Sequence, residues 1–139
     1  MIMNQIIVAT HTTLATGFEA FVKFFMPDVA NLHVINAYVE TPEFEGELRG
    51  VLDALPAEDE VIVLTDIAGG SVNQKATLLM GEYGFKLVAG INASLLLELV
   101  CRTDPISDED LAAAVEQARG QMVFMNGLAL DDIDDSDEL

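Results

Sequence analysis

The chain has two histidines, and the first, His11, closes a short apolar run in Thr10-His11-Thr12-Thr13. A second apolar run closes in Thr65-Asp66 and continues as Ile67-Ala68-Gly69-Gly70-Ser71. An imidazole nitrogen with a free lone pair is a nucleophile. A carboxylate that accepts from the other ring N–H fixes the tautomer and stabilises the positive charge that develops as a bond forms. A glycine-rich turn leading into a helix offers backbone N–H groups to an anion, and the hydroxyls of Thr10, Thr12 and Ser71 add donors. Together these groups suit a phosphoryl acceptor, because phosphoryl transfer depends mostly on positioning and charge stabilisation and needs only a small site. His11 and Asp66 are the candidate reacting pair; Thr10, Thr12, Gly69, Gly70 and Ser71 are the candidate phosphate contacts.

Taken singly, each group has a plainer role. A strand-end histidine often only packs, an acid in a strand-to-helix loop often only caps the helix, and Gly-Gly-Ser is often only a turn. Their weight depends on whether the fold brings them together. A third stretch, Ala89-Gly90-Ile91-Asn92, precedes a helical segment that Asn92 is placed to cap.

The elements that must do this positioning follow from apolar period. Ile6–Ala9 is a short, β-branched, continuous run, as in a strand covered on both faces, Leu32–Ala37 and Phe85–Ala89 read as further strands, and Val61–Leu64 as another buried one. Between them, Leu14, Phe18, Phe21, Val22 and Phe25 mark one helix face, and Phe44, Leu48, Val51, Leu52 and Leu55 a second. Val72, Ala76, Leu79 and Met80 mark a third. Pro27-Asp28 and Pro56 end the first two helices. Ser94–Arg102 reads as a short helix, and Ser107 with Asp110 three residues later starts another. Gln121–Met125 reads as a last short strand. The alternation βαβαβαβ implies a mainly parallel sheet with helices on both faces. With a flavodoxin-like order 2-1-3-4, the crevice lies between strands 1 and 3, at their carboxyl ends. His11 and Asp66 would meet there.

Composition narrows the partners. The chain has 139 residues, 24 acids against 6 Lys and Arg, a formal net charge of -18 and 51% apolar residues. That supports one folded domain over residues 1–130 and an acidic tail over 131–139 that is expected to be disordered. The charge argues against nucleic acid and against anionic membrane surfaces, while a basic protein face is compatible. The amino-terminal residues lack a secretory pattern, and no apolar run has the length of a membrane span. The expectation is a cytoplasmic protein without direct membrane insertion. Cys101, the only cysteine, is expected to be a small core residue. His33 is expected to be structural, and the phenylalanine stripe of the first helix to be core. Neither a metal nor a cofactor is expected, since His11 and Asp66 alone give too few ligands.

The sequence resembles the enzyme IIA component of the mannose-family sugar phosphotransferase system from about Ile6 to Met125. The resemblance rests on Ile7-Val8-Ala9-Thr10-His11, on Asp66-Ile67-Ala68-Gly69-Gly70-Ser71, and on Ala89-Gly90-Ile91-Asn92 with Leu95–Glu98. It implies a protein-histidine phosphotransferase in which His11 Nε2 takes a phosphoryl group from the phosphohistidine of the carrier HPr. The group would then pass to a IIB component on a separate chain. By the same resemblance Asp66 orients His11 and Ser71 touches the phosphoryl group. The resemblance further implies a homodimer in which the last strand crosses to the other subunit, with Gln121–Met125 as that strand. Three positions depart from the family's usual pattern. Thr12 stands where Gly is frequent, Val72 where Pro is frequent, and Ala93-Ser94 follow Asn92 where a Pro is usual.

Two other readings stay open at this level. One is a flavodoxin-like module for flavin or another phosphate-bearing ligand, with Thr10, Thr12, Thr13 and Thr16-Gly17 as a hydroxyl-rich first loop. Tyr38 and Tyr83 would then be the only candidates, with no Trp, to stack on the flavin ring. The other is a phosphoryl-donor subunit of a dihydroxyacetone kinase, which uses the same histidine chemistry toward a different acceptor.

Overall fold

The four strands pair in the order β2-β1-β3-β4, all parallel. They are β1 (Asn4–His11), β2 (Leu32–Ala37), β3 (Glu60–Thr65) and β4 (Lys86–Ala89). Among the described residues, five α-helices connect and follow them: α1 (Leu14–Phe25), α2 (Phe44–Ala54), α3 (Ser71–Tyr83), α4 (Ala93–Cys101) and α5 (Asp108–Arg119). The computed structural model describes residues 2–128. The acidic tail expected over 131–139 lies outside the described residues.

Alternation along the buried strands sorts the core into two layers. Ile6, Val8, Ile62 and Leu64 face one way, against Ala15 and Val22 of α1, Leu96 and Leu99 of α4, and Ala114 of α5. Ile7, Ala9 and Val63 face the other way, against Phe44 and Leu48 of α2 and Val72, Ala76 and Leu79 of α3. Each buried Val, Leu, Ile and Phe side chain among these contributes about 1.5–3 kcal/mol, and the alanines less. A one-residue slip of β1 would carry its Ile6 and Ile7 to the wrong layers.

Register ends β1 level with β2 and carries it two residues past the end of β3. His11 lies opposite Ala37 of β2, and Ala9 lies opposite Thr65 of β3. The loops after β1, β2 and β3 therefore emerge side by side over the crevice where the strand order reverses.

The helix boundaries follow their local signals. Ser107 Oγ accepts from Asp110 N–H at 3.0 Å, and Asp110 reaches back to the Ser107 N–H, completing a capping box. Asn92 Oδ1 accepts from Leu95 N–H at 2.9 Å to cap α4, while its Nδ2 donates to Ala118 O at 2.8 Å. The third sequence motif thus ties α4 to α5. His33 Nε2 pairs with Gln5 Oε1 at 2.8 Å, a structural contact between β1 and β2.

Three local expectations are corrected. Cys101 is exposed, with its Sγ 3.4 Å from Met26 Sδ; the helical period buries Leu99 and Val100 but turns the next position outward. Phe18, Phe21 and Val22 of α1 pack on the core, whereas Leu14 and Phe25 at its two ends are exposed. Gln121–Met125 forms no strand within this subunit: a turn follows α5, and Met125–Gly127 makes one 3-10 turn. A strand needs a hydrogen-bonding neighbour, and this segment pairs with no strand among the described residues.

Candidate active site

His11 is the last residue of β1, and Asp66 is the first residue past β3. Asp66 Oδ2 accepts from the His11 backbone N–H at 2.8 Å and meets His11 Nδ1 at 2.8 Å. Its other oxygen accepts from the Ile67 N–H at 2.9 Å. The Asp66 side chain is only 8% exposed, whereas that of His11 is 39% exposed. Burial by itself would push the Asp66 carboxyl up, but the backbone and ring hydrogen bonds from His11 and the Ile67 N–H outweigh it. They hold the group below the ordinary carboxylate range. An ionised Asp66 can only accept, so the ring proton of neutral His11 sits on Nδ1 and the lone pair on Nε2.

That lone pair points toward α3. Ser71 Oγ, at the first position of α3, lies 3.2 Å from His11 Nε2. Gly70 is the N-cap of α3 and supplies no side-chain cap, so the first N–H groups of the helix, from Ser71 onward, stay open at its positive end. An anion carried on Nε2 would sit beside them.

The two glycines shape this corner instead of donating at it. The Gly69 N–H donates to Asn73 Oδ1 at 3.1 Å, and the Gly70 N–H donates to Ile67 O at 3.0 Å. Gly69 has φ +79, in the left-handed region that favours glycine. A Cβ on Gly70 would stand 3.2 Å from Ile67 O and 3.5 Å from His11 Cε1. Gly70 therefore permits the close approach of the loop to the imidazole.

Thr10 is also corrected as a phosphate contact. It is fully buried, and its Oγ1 accepts from the Ala15 N–H at 2.8 Å, capping α1 from the end of β1. Thr12 is exposed and sits at φ 51, with its N–H donating to Ala37 O at 2.9 Å. Its hydroxyl bonds to no described residue. A threonine in the left-handed region carries a penalty of about 1–2 kcal/mol, which glycine would not.

Tyr38 was not singled out for this site by sequence reasoning. It follows β2 directly, and its hydroxyl lies 2.7 Å from Ser71 Oγ. Its ring lies 5.5 Å from that of His11, centroid to centroid, tilted by 50°. Tyr38 also has a positive φ, 69. The signal available was its place after strand 2, next to strand 1 in the expected order. Lys75, four residues past Ser71 on α3, holds its Nζ 5.4 Å from the Tyr38 ring centroid.

Residues 5–117 match the family model of the PTS system fructose IIA component, EIIA-man. The chain belongs to this family. It is accordingly a IIA-type component of the mannose-family sugar phosphotransferase system. A structure from Klebsiella pneumoniae, described as a phosphoenolpyruvate-dependent sugar phosphotransferase system permease, is similar at 27% identity with a TM-score of 0.81. The alignment covers 91% of this chain and 93% of that one. The PTS IIA protein associated with the fucose utilisation operon of Streptococcus pneumoniae is also 27% identical, with a TM-score of 0.77 over 90% of this chain and 95% of that one. The mannose/sorbose-specific IIA subunit of Enterococcus faecalis, 20% identical, shares the fold with a TM-score of 0.79, over 93% of this chain and 99% of that one. No curated protein matches the sequence. Among the described residues of this IIA component, no helix is long and apolar enough to cross a membrane. None of those residues form a cluster of three or more His, Cys, Asp or Glu able to hold a metal ion.

Proposed function

We propose that this IIA component is a phosphocarrier that accepts a phosphoryl group on His11 Nε2 from phospho-HPr and passes it to a IIB component. The observation that carries the reading is the pairing of His11 Nδ1 with the buried Asp66 while Nε2 faces Ser71 and the uncapped start of α3. Neutral imidazole with its proton on Nδ1 is the nucleophilic form, and Asp66 stabilises the ring as Nε2 bonds to phosphorus. Ser71 and the first N–H groups of α3 bind the phosphoryl oxygens. Gly69 and Gly70 let the loop come close, and Thr12 lines the exposed rim.

The exposed Met122, Val123 and Phe124 support a homodimer in which Gln121–Met125 pairs with the sheet of the other subunit. The net charge of -18 suits docking to a basic carrier face. The assignment to the cytoplasm rests on the phosphoryl donor, which works there.

Intact-protein mass after incubation with phosphoenolpyruvate, enzyme I and HPr tests this. The expected result is the gain of one acid-labile phosphoryl group by the wild type and none by His11→Ala. Full phosphorylation of a folded His11→Ala protein, or no gain by the wild type beside active HPr, would overturn the reading.

A further inference from the structure

The hydrogen-bond chain that ends on His11 Nε2 has a fixed direction. With the ring proton on Nδ1 and shared with Asp66, Nε2 can only accept. Ser71 therefore donates to Nε2 at 3.2 Å, and its oxygen is left to accept from the Tyr38 hydroxyl at 2.7 Å. Two O–H donors in series point at one nitrogen. Both would find acceptors in phosphoryl oxygens placed on that nitrogen.

The cation beside them is distinctive. Of the 6 Lys and Arg in the chain, five pair with carboxylates: Lys23 with Glu19, Arg49 with Glu45 and Glu82, Lys86 with Asp108, Arg102 with Glu98, and Arg119 with Glu116. Lys75 makes no ion pair among the described residues, although the chain carries 24 acids. Its ammonium stands over the Tyr38 ring at 5.4 Å, and its place one helical turn after Ser71 puts it on the same face of α3. Tyr38, moreover, is held at φ 69, a conformation that costs a non-glycine residue about 1–2 kcal/mol. Backbone strain of this kind concentrates where a side chain must be aimed.

We propose that Tyr38 and Lys75 form the phosphoryl-facing half of the site, with the Tyr38 hydroxyl donating to a phosphoryl oxygen beside Ser71 and the Lys75 ammonium neutralising the group's outward charge. This rests on the reading of His11 as the acceptor. In the transfer, the Nε2 lone pair bonds to phosphorus as the P–N bond of the donor phosphohistidine breaks. Its electron pair returns to the donor's ring nitrogen. The Nδ1 proton stays on His11, shared with Asp66, so no proton leaves the site. Charge spreads over the three equatorial oxygens in the transition state, where a hydroxyl and an ammonium stabilise it.

The test compares wild type, Tyr38→Phe, Lys75→Met and Lys75→Arg with two donors: phospho-HPr, and phosphoramidate, a P–N donor with no protein surface to dock. Tyr38→Phe keeps the ring, and Lys75→Met keeps the aliphatic stem, so thermal melts should match wild type. Phosphorylation of both should slow on the order of 10-fold or more with either donor. The hydrolysis rate of the isolated phosphoprotein should change several-fold, and Lys75→Arg should recover most of the wild-type rate. Slowing with phospho-HPr alone would make these residues docking contacts and overturn the proposal. Wild-type rates in Tyr38→Phe and Lys75→Met would overturn it as well. A wild type that takes no phosphoryl group from either donor would instead remove the reading of His11 beneath it.

Discussion

A single carboxylate oxygen, Asp66 Oδ2, holds His11 by two atoms, the backbone N–H and the ring Nδ1, each at 2.8 Å. The bonds cross from the end of β3 to the end of β1. They couple the imidazole's orientation to the sheet itself, because turning the ring away would leave a buried carboxylate with one bond fewer. The imidazole's geometry is thus set by strand register, with little left to the loop.

Replacing Asp66 with Asn tests that coupling. An amide oxygen in the place of Oδ2 keeps both bonds only by turning its NH2 against the Ile67 N–H, and it is neutral, so it no longer stabilises charge on the ring. The reversed amide sets its NH2 against the His11 N–H and Nδ1, which favours the tautomer with the proton on Nε2, not nucleophilic at that atom. The phosphorylation rate from phospho-HPr should fall on the order of 10²-fold or more. Urea unfolding should show a loss of about 1–3 kcal/mol, the cost of leaving a buried donor poorly paired. A variant phosphorylated at the wild-type rate would remove Asp66 from the mechanism.

The two loop glycines should separate by effect. At Gly69 an added Cβ meets open space, so Gly69→Ala is opposed only by the positive φ, at about 1–2 kcal/mol of stability. At Gly70 the backbone conformation is ordinary, but the Cβ presses on Ile67 O and approaches His11 Cε1. Gly70→Ala should therefore show the larger ratio of rate loss to stability loss. Paired denaturation curves and phosphorylation rates for the two variants measure it. The reverse ranking would mean that the loop, not the imidazole, takes up the strain.

Much of this fold is written in local pattern. Leu32–Ala37 is the second strand at both bounds, and Ser107 with Asp110 forms the capping box its spacing implies. His11 and Asp66 meet because parallel βαβ order places their strand ends together, a consequence of element sequence alone. Hydrogen-bond bookkeeping was not legible. Nothing in Gly69-Gly70-Ser71 says that Asn73 and Ile67 already occupy the glycine N–H groups. Nothing in Thr10 says that its hydroxyl serves α1. Tyr38 was hidden for another reason: it stands just past the second strand, and nothing in the sequence says that the chain turns there into the left-handed region. A side chain aimed by an unfavourable torsion leaves no periodic trace.

Acid should destabilise the protein in two separated steps. Burial lowers the pKa of His33, so the unfolded chain takes up a proton there before the folded one does. Stability from this group is complete above its unfolded value of about 6.5 and falls as pH drops from there toward the folded value. Asp66 and Asp59 are lowered acids, so their contribution is present above about 3.9 and is lost as pH falls through their folded values. Urea unfolding of wild type and His33→Gln at pH 7.5 and pH 5.5 isolates the first step. The wild type should lose stability between those two values, and His33→Gln should lose less. Equal losses would assign the step to another group.

The segment after α5 offers the sharpest test of assembly. Met122 is 92% exposed and Phe124 79% exposed, and Val123 and Met125 between and beside them are exposed too. Four consecutive apolar side chains in water are unfavourable for a single chain, and none of them belongs to either core layer. A charge placed there should therefore leave the subunit's fold intact while opposing burial against a second copy. The wild type is expected to sediment as a dimer, and the Phe124→Asp and Val123→Asp variants as monomers at the same concentration, with melting curves that no longer depend on protein concentration. Strand exchange specifically predicts that both substitutions act, because neighbouring residues of a paired strand face opposite sides and both sides become covered. A wild type that stays monomeric at high concentration, or variants that remain dimeric, would count against the exchange.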